Sequence, residues 1–173
     1  MPCALTQGYN LDCMENVGGV KTVYVMEFEN ATTITNTAGL ITTLTKATGK
    51  KFWKYNLEKE TAEASEQMTV NRENNTKFVK QTVKFVFNKQ SVSLRDEITL
   101  LASNRCLVVT LTNNGEYWLY GKDFGLNMAT VDVKTGVKLG DRNGYELTLE
   151  SDEKTFAYKL NDAIAAALET AGT

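Results

Sequence analysis

The side chains with which this 173-residue chain can do chemistry are few and scattered. Its three cysteines, Cys3, Cys13 and Cys106, are an odd number at wide spacings, which argues against a disulfide framework and against a four-ligand zinc site. They read as small buried or half-buried thiols, with Cys3 and Cys13 near enough to meet across a short N-terminal loop. Histidine is absent. That removes the commonest general base and transition-metal ligand, and with them Ser-His-Asp, Cys-His and His-zinc mechanisms within one chain. A carboxylate-based mechanism survives this test, but the acids form no recognisable motif. Asp96-Glu97 and Asp152-Glu153 fall at an expected helix start and an expected turn, where capping and solvation account for them. Neither Gly18-Gly19 nor the Gly136 to Gly144 stretch has the glycine spacing and Lys-Ser/Thr ending of a phosphate loop. Asp141-Arg142-Asn143-Gly144 has the oxygen-rich look of a cation site, but a β-turn explains it more simply. Trp53 and Tyr55 can be a stacking platform for bases or sugars, or else core or subunit contacts. No enzyme, catalytic residue, metal or cofactor is expected.

The elements that position these residues are mostly strands. Val20 to Phe28 is rich in β-branched and aromatic residues and reads as the first core strand. From Glu29 to Thr48 the composition shifts to threonine and asparagine, with Ile34, Ile41 and Leu44 as sparse apolar positions, and a hairpin turning near Asn36 to Gly39 is expected. Lys51 to Leu57 alternates, placing Trp53, Tyr55 and Leu57 on one face. Ala62, Ala64, Met68 and Val70 recur at spacing two, which gives a half-buried strand, although Glu58 to Gln67 alone can also be helical.

The stretch from Thr76 to Gly121 is the most legible. Val79, Val83, Phe85 and Phe87 share one face of a strand from Thr76 to Phe87. Leu94, Ile98, Leu101 and Ala102 then switch to helical spacing over Val92 to Ser103, with Ser93 to Asp96 resembling a capping box. Cys106 to Thr112, a turn at Asn113-Asn114-Gly115, and Glu116 to Tyr120 make a hairpin. Met128 to Val137 can be extended. Tyr145 to Glu150 is an alternating strand, and a Ser151 to Lys154 turn is expected to return it as a hairpin through Phe156 to Leu160. The alanine-rich Asn161 to Ala171 has helical propensity and an Asn161 or Asp162 cap.

Composition sets the outer limits. Hydrophobic residues at 42% and charged residues at 23% exclude a disordered chain and point to one ordinary domain over residues 1–173. A net charge of -2, with the basic residues spread out, provides no dense positive patch for sequence-reading nucleic-acid binding. Met1 to Gly8 lacks a basic region followed by an apolar run, so no secretory signal is expected, nor is any apolar stretch long enough for a membrane helix. Synthesis and retention in the cytosol are the expectation.

In this order of elements the chain resembles a tailed-bacteriophage tail tube (major tail) protein. The likeness is carried by the polar segment after the first strand, the strand-helix-strand unit at Thr76 to Thr112, and Gly140-Asp141-Arg142-Asn143-Gly144-Tyr145-Glu146-Leu147-Thr148-Leu149. The opening Ala4 to Cys13, with Val17-Gly18-Gly19-Val20-Lys21, is similar to phage virion proteins of this size. The resemblance implies a mainly β (α+β) fold: a β-sandwich or barrel with one flanking α-helix, a long polar hairpin insertion (29–75) and extended terminal arms (1–19 and 161–173). It implies hexameric rings stacked into a tube through which DNA passes non-specifically, with other tail proteins as further partners and the virion tail, after synthesis in a host cytoplasm, as location. Inter-subunit contacts would fall on Ile34, Ile41, Leu44, Trp53, Tyr55 and Met68. A head-tail joining or capsid-decorating protein belongs to the same class. A ligand- or glycan-binding β-barrel using Trp53, Trp118 and the tyrosines is the reading from a different class.

Overall fold

The computed structural model describes residues 7–10 and 14–172, so Cys3 and Cys13, and any meeting between them, lie outside the described residues. Eleven strands among those residues form two sheets. The larger has the order β2-β3-β11-β8-β7-β1-β4, from β1 (Val20–Glu27), β2 (Ala31–Thr37), β3 (Leu40–Lys46), β4 (Trp53–Asn56), β7 (Cys106–Thr112), β8 (Tyr117–Tyr120) and β11 (Tyr158–Leu160). The smaller has the order β5-β6-β10-β9, from β5 (Ala62–Asn71), β6 (Thr76–Phe87), β9 (Asn127–Lys134) and β10 (Gly144–Glu153). One helix of substantial length, α1 (Val92–Ser103), links β6 in the small sheet to β7 in the large one. The fold is a mainly β sandwich with a flanking helix.

Alternation in the strands explains the layers. Val23, Val25 and Val108 of the large sheet meet Val83, Phe85, Leu147 and Leu149 of the small one, and Ile98 and Leu101 of α1 join the same core. Each such side chain contributes about 1.5–3 kcal/mol when fully buried. The residues between them in β1 and β7, Tyr24, Met26, Leu107 and Val109, are buried on the opposite face with Ile41, Phe52, Leu160 and Leu168. The large sheet is therefore covered on both faces. The small sheet is covered on one.

Several elements differ from the sequence expectations. The N-cap of α1 is Ser91, whose hydroxyl accepts from the Leu94 N–H at 3.3 Å, and not Ser93, which lies inside the first turn. The polar Ser151 to Lys154 run is no turn: β10 continues to Glu153, paired opposite Val79. No hairpin follows it either, because the chain crosses to the large sheet, where β11 pairs antiparallel with β8 and parallel with β3. Residues 29–75, expected as one polar hairpin insertion, divide between the sheets. β2–β3 and β4 belong to the large sheet, and β5 pairs with β6 in the small one.

The C-terminal segment, expected as an extended arm, packs on its own domain. α2 (Asp162–Ala166) is capped by Asn161, whose side chain accepts from the Ala163 N–H at 2.9 Å. Leu168 is buried against the large sheet, and its carbonyl accepts the Phe52 N–H at 3.1 Å. Lys46 Nζ donates to the Ala167, Leu168 and Thr170 carbonyls, bonds that tie the segment after α2 to β3. At the other end, Val17 N–H donates to Asn114 Oδ1 at 2.9 Å and Asn113 Nδ2 to the Gly18 carbonyl at 2.7 Å, which ties the lead-in to the β7–β8 turn.

Candidate functional site

The buried acids hold backbone together. Glu153 is 2% exposed, and its carboxylate accepts from the Asp123 N–H at 2.8 Å, the Phe124 N–H at 3.1 Å and the Ser151 hydroxyl at 3.0 Å. It caps the turn between β8 and β9, a role its partner in sequence, exposed Asp152, does not share. Glu66 sits between the sheets, accepting from Gln81 Nε2 and the Ala157 N–H. Burial raises its carboxyl above the usual range, against the opposing pull of those two donors. Gln81 completes this cluster by donating to the Thr155 carbonyl and accepting the Gly121 N–H. These contacts fasten the 154–157 crossing to the small sheet.

The remaining chemical candidates are occupied in similar ways. Cys106 is buried, and desolvation first, then Glu27, pushes its thiol up to about 11. It stays protonated and unreactive at neutral pH. Glu97 accepts from the Tyr55 hydroxyl at 3.3 Å. Burial, and then that carboxylate, raises the Tyr55 phenol. The oxygen-rich run at 141–144 is a loop cap: Asp141 Oδ2 accepts from the Val137 and Lys138 N–H groups, both at 2.9 Å, and those bonds lower its pKa. Among the described residues no group of three or more Cys, Asp or Glu side chains is placed to hold a metal ion, and no helix is long and apolar enough to cross a membrane.

The six expected contact residues separate into three kinds. Ile41 is fully buried within its own domain and presents no surface, a correction that follows from α2 and β11 covering the β2–β3 hairpin. Ile34 and Leu44 are half-buried against the same core, and Tyr55 against the inter-sheet core, where its ring lies beside Phe85 and Phe87. Trp53 and Met68 are exposed, the indole at 56% with Lys51 Nζ 4.7 Å from its centre. Trp53 and Trp118 make no common platform, since β4 and β8 are separated by β1 and β7, roughly 14 Å at ordinary strand spacing. Trp118 is half-buried in the inter-sheet core.

What the geometry leaves open is the small sheet. Its outer face carries Lys80, Lys84 and Lys134, each paired to a glutamate of a neighbouring strand: Glu150 at 2.9 Å, Glu63 at 3.0 Å and Glu146 at 3.8 Å. Register places Asp132 and Asp152 on this face too, so the acids outnumber the bases there. Both outer strands, β5 and β9, are paired on one side only. Beyond Val79 the β5–β6 pair has no support from β10, and Met68, Val70 and Phe78 are exposed along that projecting ribbon. Sequence alternation showed which face of β6 is buried. It carried no sign that β5 and β9 would be the edges, because the order of this sheet depends on β6–β10 pairings from Tyr145↔Phe87 to Glu153↔Val79, far apart in sequence. No protein-family model, curated protein or solved structure matches the chain.

Proposed function

We propose that this protein is a structural subunit that assembles into stacked, hexameric rings forming the tube of a phage tail, through which DNA passes. The reading is carried by one observation: a four-stranded sheet that is packed on one face, polar and solvated on the other, and open along two opposite edges, β5 and β9. Exposed edges invite pairing with another chain. Pairing β5 of one copy with β9 of the next is a head-to-tail contact, and such contacts close into rings or run on as filaments. Six copies would join about 24 strands, a circumference of roughly 115 Å and a diameter near 37 Å at ordinary strand spacing, before any widening by strand tilt. That leaves room for a duplex along the axis. The polar face would line the passage, and its surplus of acids would keep phosphates from adhering.

Electron microscopy and sedimentation of the purified protein test this. Rings or tubes with six-fold symmetry are expected. A strictly monomeric species at high concentration would refute it, and isolated rings that never stack would assign the chain to a head-tail joint.

A further inference from the structure

A loop and a cleft on this chain carry net charges of opposite sign. Between β9 and β10 the chain forms a loop, residues 135–143, whose Val137 and Leu139 are 96% and 110% exposed. The loop is held in shape from within. Asp141 accepts two of its N–H groups, the Asp141 N–H returns to the Lys138 carbonyl at 3.0 Å, and Gly136 has φ +73°, where a Cβ would sit 2.6 Å from that of Asp141. A loop fixed in this way loses little entropy on docking. Its carboxylate is already used internally, which leaves Lys138, between the two apolar residues in sequence, as the cation beside them, while Arg142 lines a hollow with Glu60, Glu63 and Glu146 of its own chain.

The cleft lies between the open edge of β4 and α1. It is lined by Trp53, Tyr55, Leu100 and Leu101, with Glu27 and Glu97 as its charged groups, and holds about 230 Å³. That is below the roughly 300–1,000 Å³ of small-molecule sites and suits one or two side chains. Leu100 on its rim is 59% exposed, and Lys51 lies over the Trp53 ring. The loop meets the opposite end of α1, where Gln90 Nε2 donates to the Lys134 carbonyl. Loop and cleft are thus about one helix length apart, roughly 18 Å for twelve residues.

We propose that the 135–143 loop of one copy seats Val137 and Leu139 in the β4–α1 cleft of a second copy, with Lys138 facing Glu27 and Glu97. The contact joins two different surfaces, so it propagates head to tail. It rests on the self-assembly reading above and names the surfaces that would carry part of it.

Leu139→Lys and Leu100→Glu test it, together with their double variant, which places opposite charges across the contact. Assembly is followed by sedimentation velocity and electron microscopy, and folding by circular dichroism melting. Both single variants should melt as wild type, because both side chains are exposed, yet need at least tenfold more protein for half-assembly. The double variant should recover a part of that loss that additivity does not predict. Single variants that assemble at wild-type concentration would overturn this contact alone and leave the tail-tube reading standing. A wild type that never assembles would overturn both. A saturable Trp fluorescence response to glycans or oligonucleotides, abolished by Leu100→Glu with assembly unchanged, would assign the cleft to a ligand and overturn the contact.

Discussion

Glu153→Gln preserves the length and shape of the side chain while converting one of its two acceptor oxygens into a donor. In the structure both oxygens are in use, receiving the Asp123 and Phe124 N–H groups and the Ser151 hydroxyl. An amide with its oxygen at the Oε2 position keeps the Asp123 N–H at 2.8 Å, but holds the Phe124 N–H only by the longer of its two contacts, 3.3 Å, with an NH2 replacing the nearer acceptor at 3.1 Å and the charge gone from both bonds. The Ser151 hydroxyl can rotate away, so the loss falls on the backbone N–H groups of a half-buried turn. Leaving a buried donor unpaired costs about 1–3 kcal/mol, and hydrogen bonds to a charged group are worth about 1.5–3 kcal/mol. Against this stands the relief of no longer burying a charge. A net loss of about 2 kcal/mol is expected for Glu153→Gln, with Glu153→Ala similar. With a urea slope near 2 kcal/mol/M, the unfolding midpoint would fall by about 1 M. Amide exchange should also accelerate at Asp123 and Phe124 before other positions. If both variants unfold within about 0.5 kcal/mol of wild type, the carboxylate does not cap this turn and the structural role assigned to it is wrong.

Two further predictions rest on the same interior. Burial raises the Glu66 carboxyl above its ordinary 4.5, so the folded chain takes up this proton more readily than the unfolded chain. Glu66 therefore favours the fold below its unfolded pKa and loses that contribution as pH rises through the folded value. Glu66→Gln keeps an oxygen for Gln81 and Ala157, so its stability relative to wild type should improve as pH rises from 4 to 7 in parallel urea titrations. A constant or falling difference would contradict the assignment. Gly144→Ala would place a methyl 1.8 Å from the Phe87 carbonyl oxygen, in a backbone contact that cannot yield. It should cost about 3 kcal/mol, the upper end of ordinary overpacking, and a wild-type melting temperature would show that β10 can shift away from β6.

The parts of the fold legible in sequence are those whose signal is local. The change from period two over Thr76–Phe87 to helical spacing over Val92–Ser103 marks both elements, and Asn114-Gly115 marks the β7–β8 turn. The misreadings have a common cause. Ser151 to Lys154 has the composition of a solvated turn, yet Glu153 is buried because the 122–125 turn, thirty residues away, brings it donors. Ile41 stands in a threonine-rich run and reads as surface, but β11 and α2 arrive from the far end of the chain to cover it. Ser93, read as the cap, and Ser91, which is the cap, are the same residue type two positions apart, and the register of the first turn chooses between them. Val137 and Leu139 fail in the opposite direction. Hydrophobicity alone would bury them, whereas the Asp141 cap turns the loop so that both face solvent.

The division of labour between the two sheets follows from how each is covered. The large sheet has a core on each face, one shared with the small sheet and one that includes Ile41, Phe52 and Leu168, so what it leaves to a partner are its edge strands, β4 of four residues and β2 of seven. The small sheet keeps a solvated face and edges of ten and eight residues. Its β5–β6 ribbon also extends past the support of β10, and a two-stranded ribbon is marginally stable alone. Met68, Val70 and Phe78 on that ribbon gain burial only if something outside the chain covers them. An assembly that pairs the β5 edge would add a third strand beside the ribbon, whose side chains would flank Met68 and Val70, while Phe78 lies one strand further in and on the opposite face. In the proposed assembly the β5 edge and the ribbon beside it would share one partner, another copy presenting β9, and the loop that follows β9 would carry Val137 and Leu139 toward the β4–α1 cleft of a neighbour.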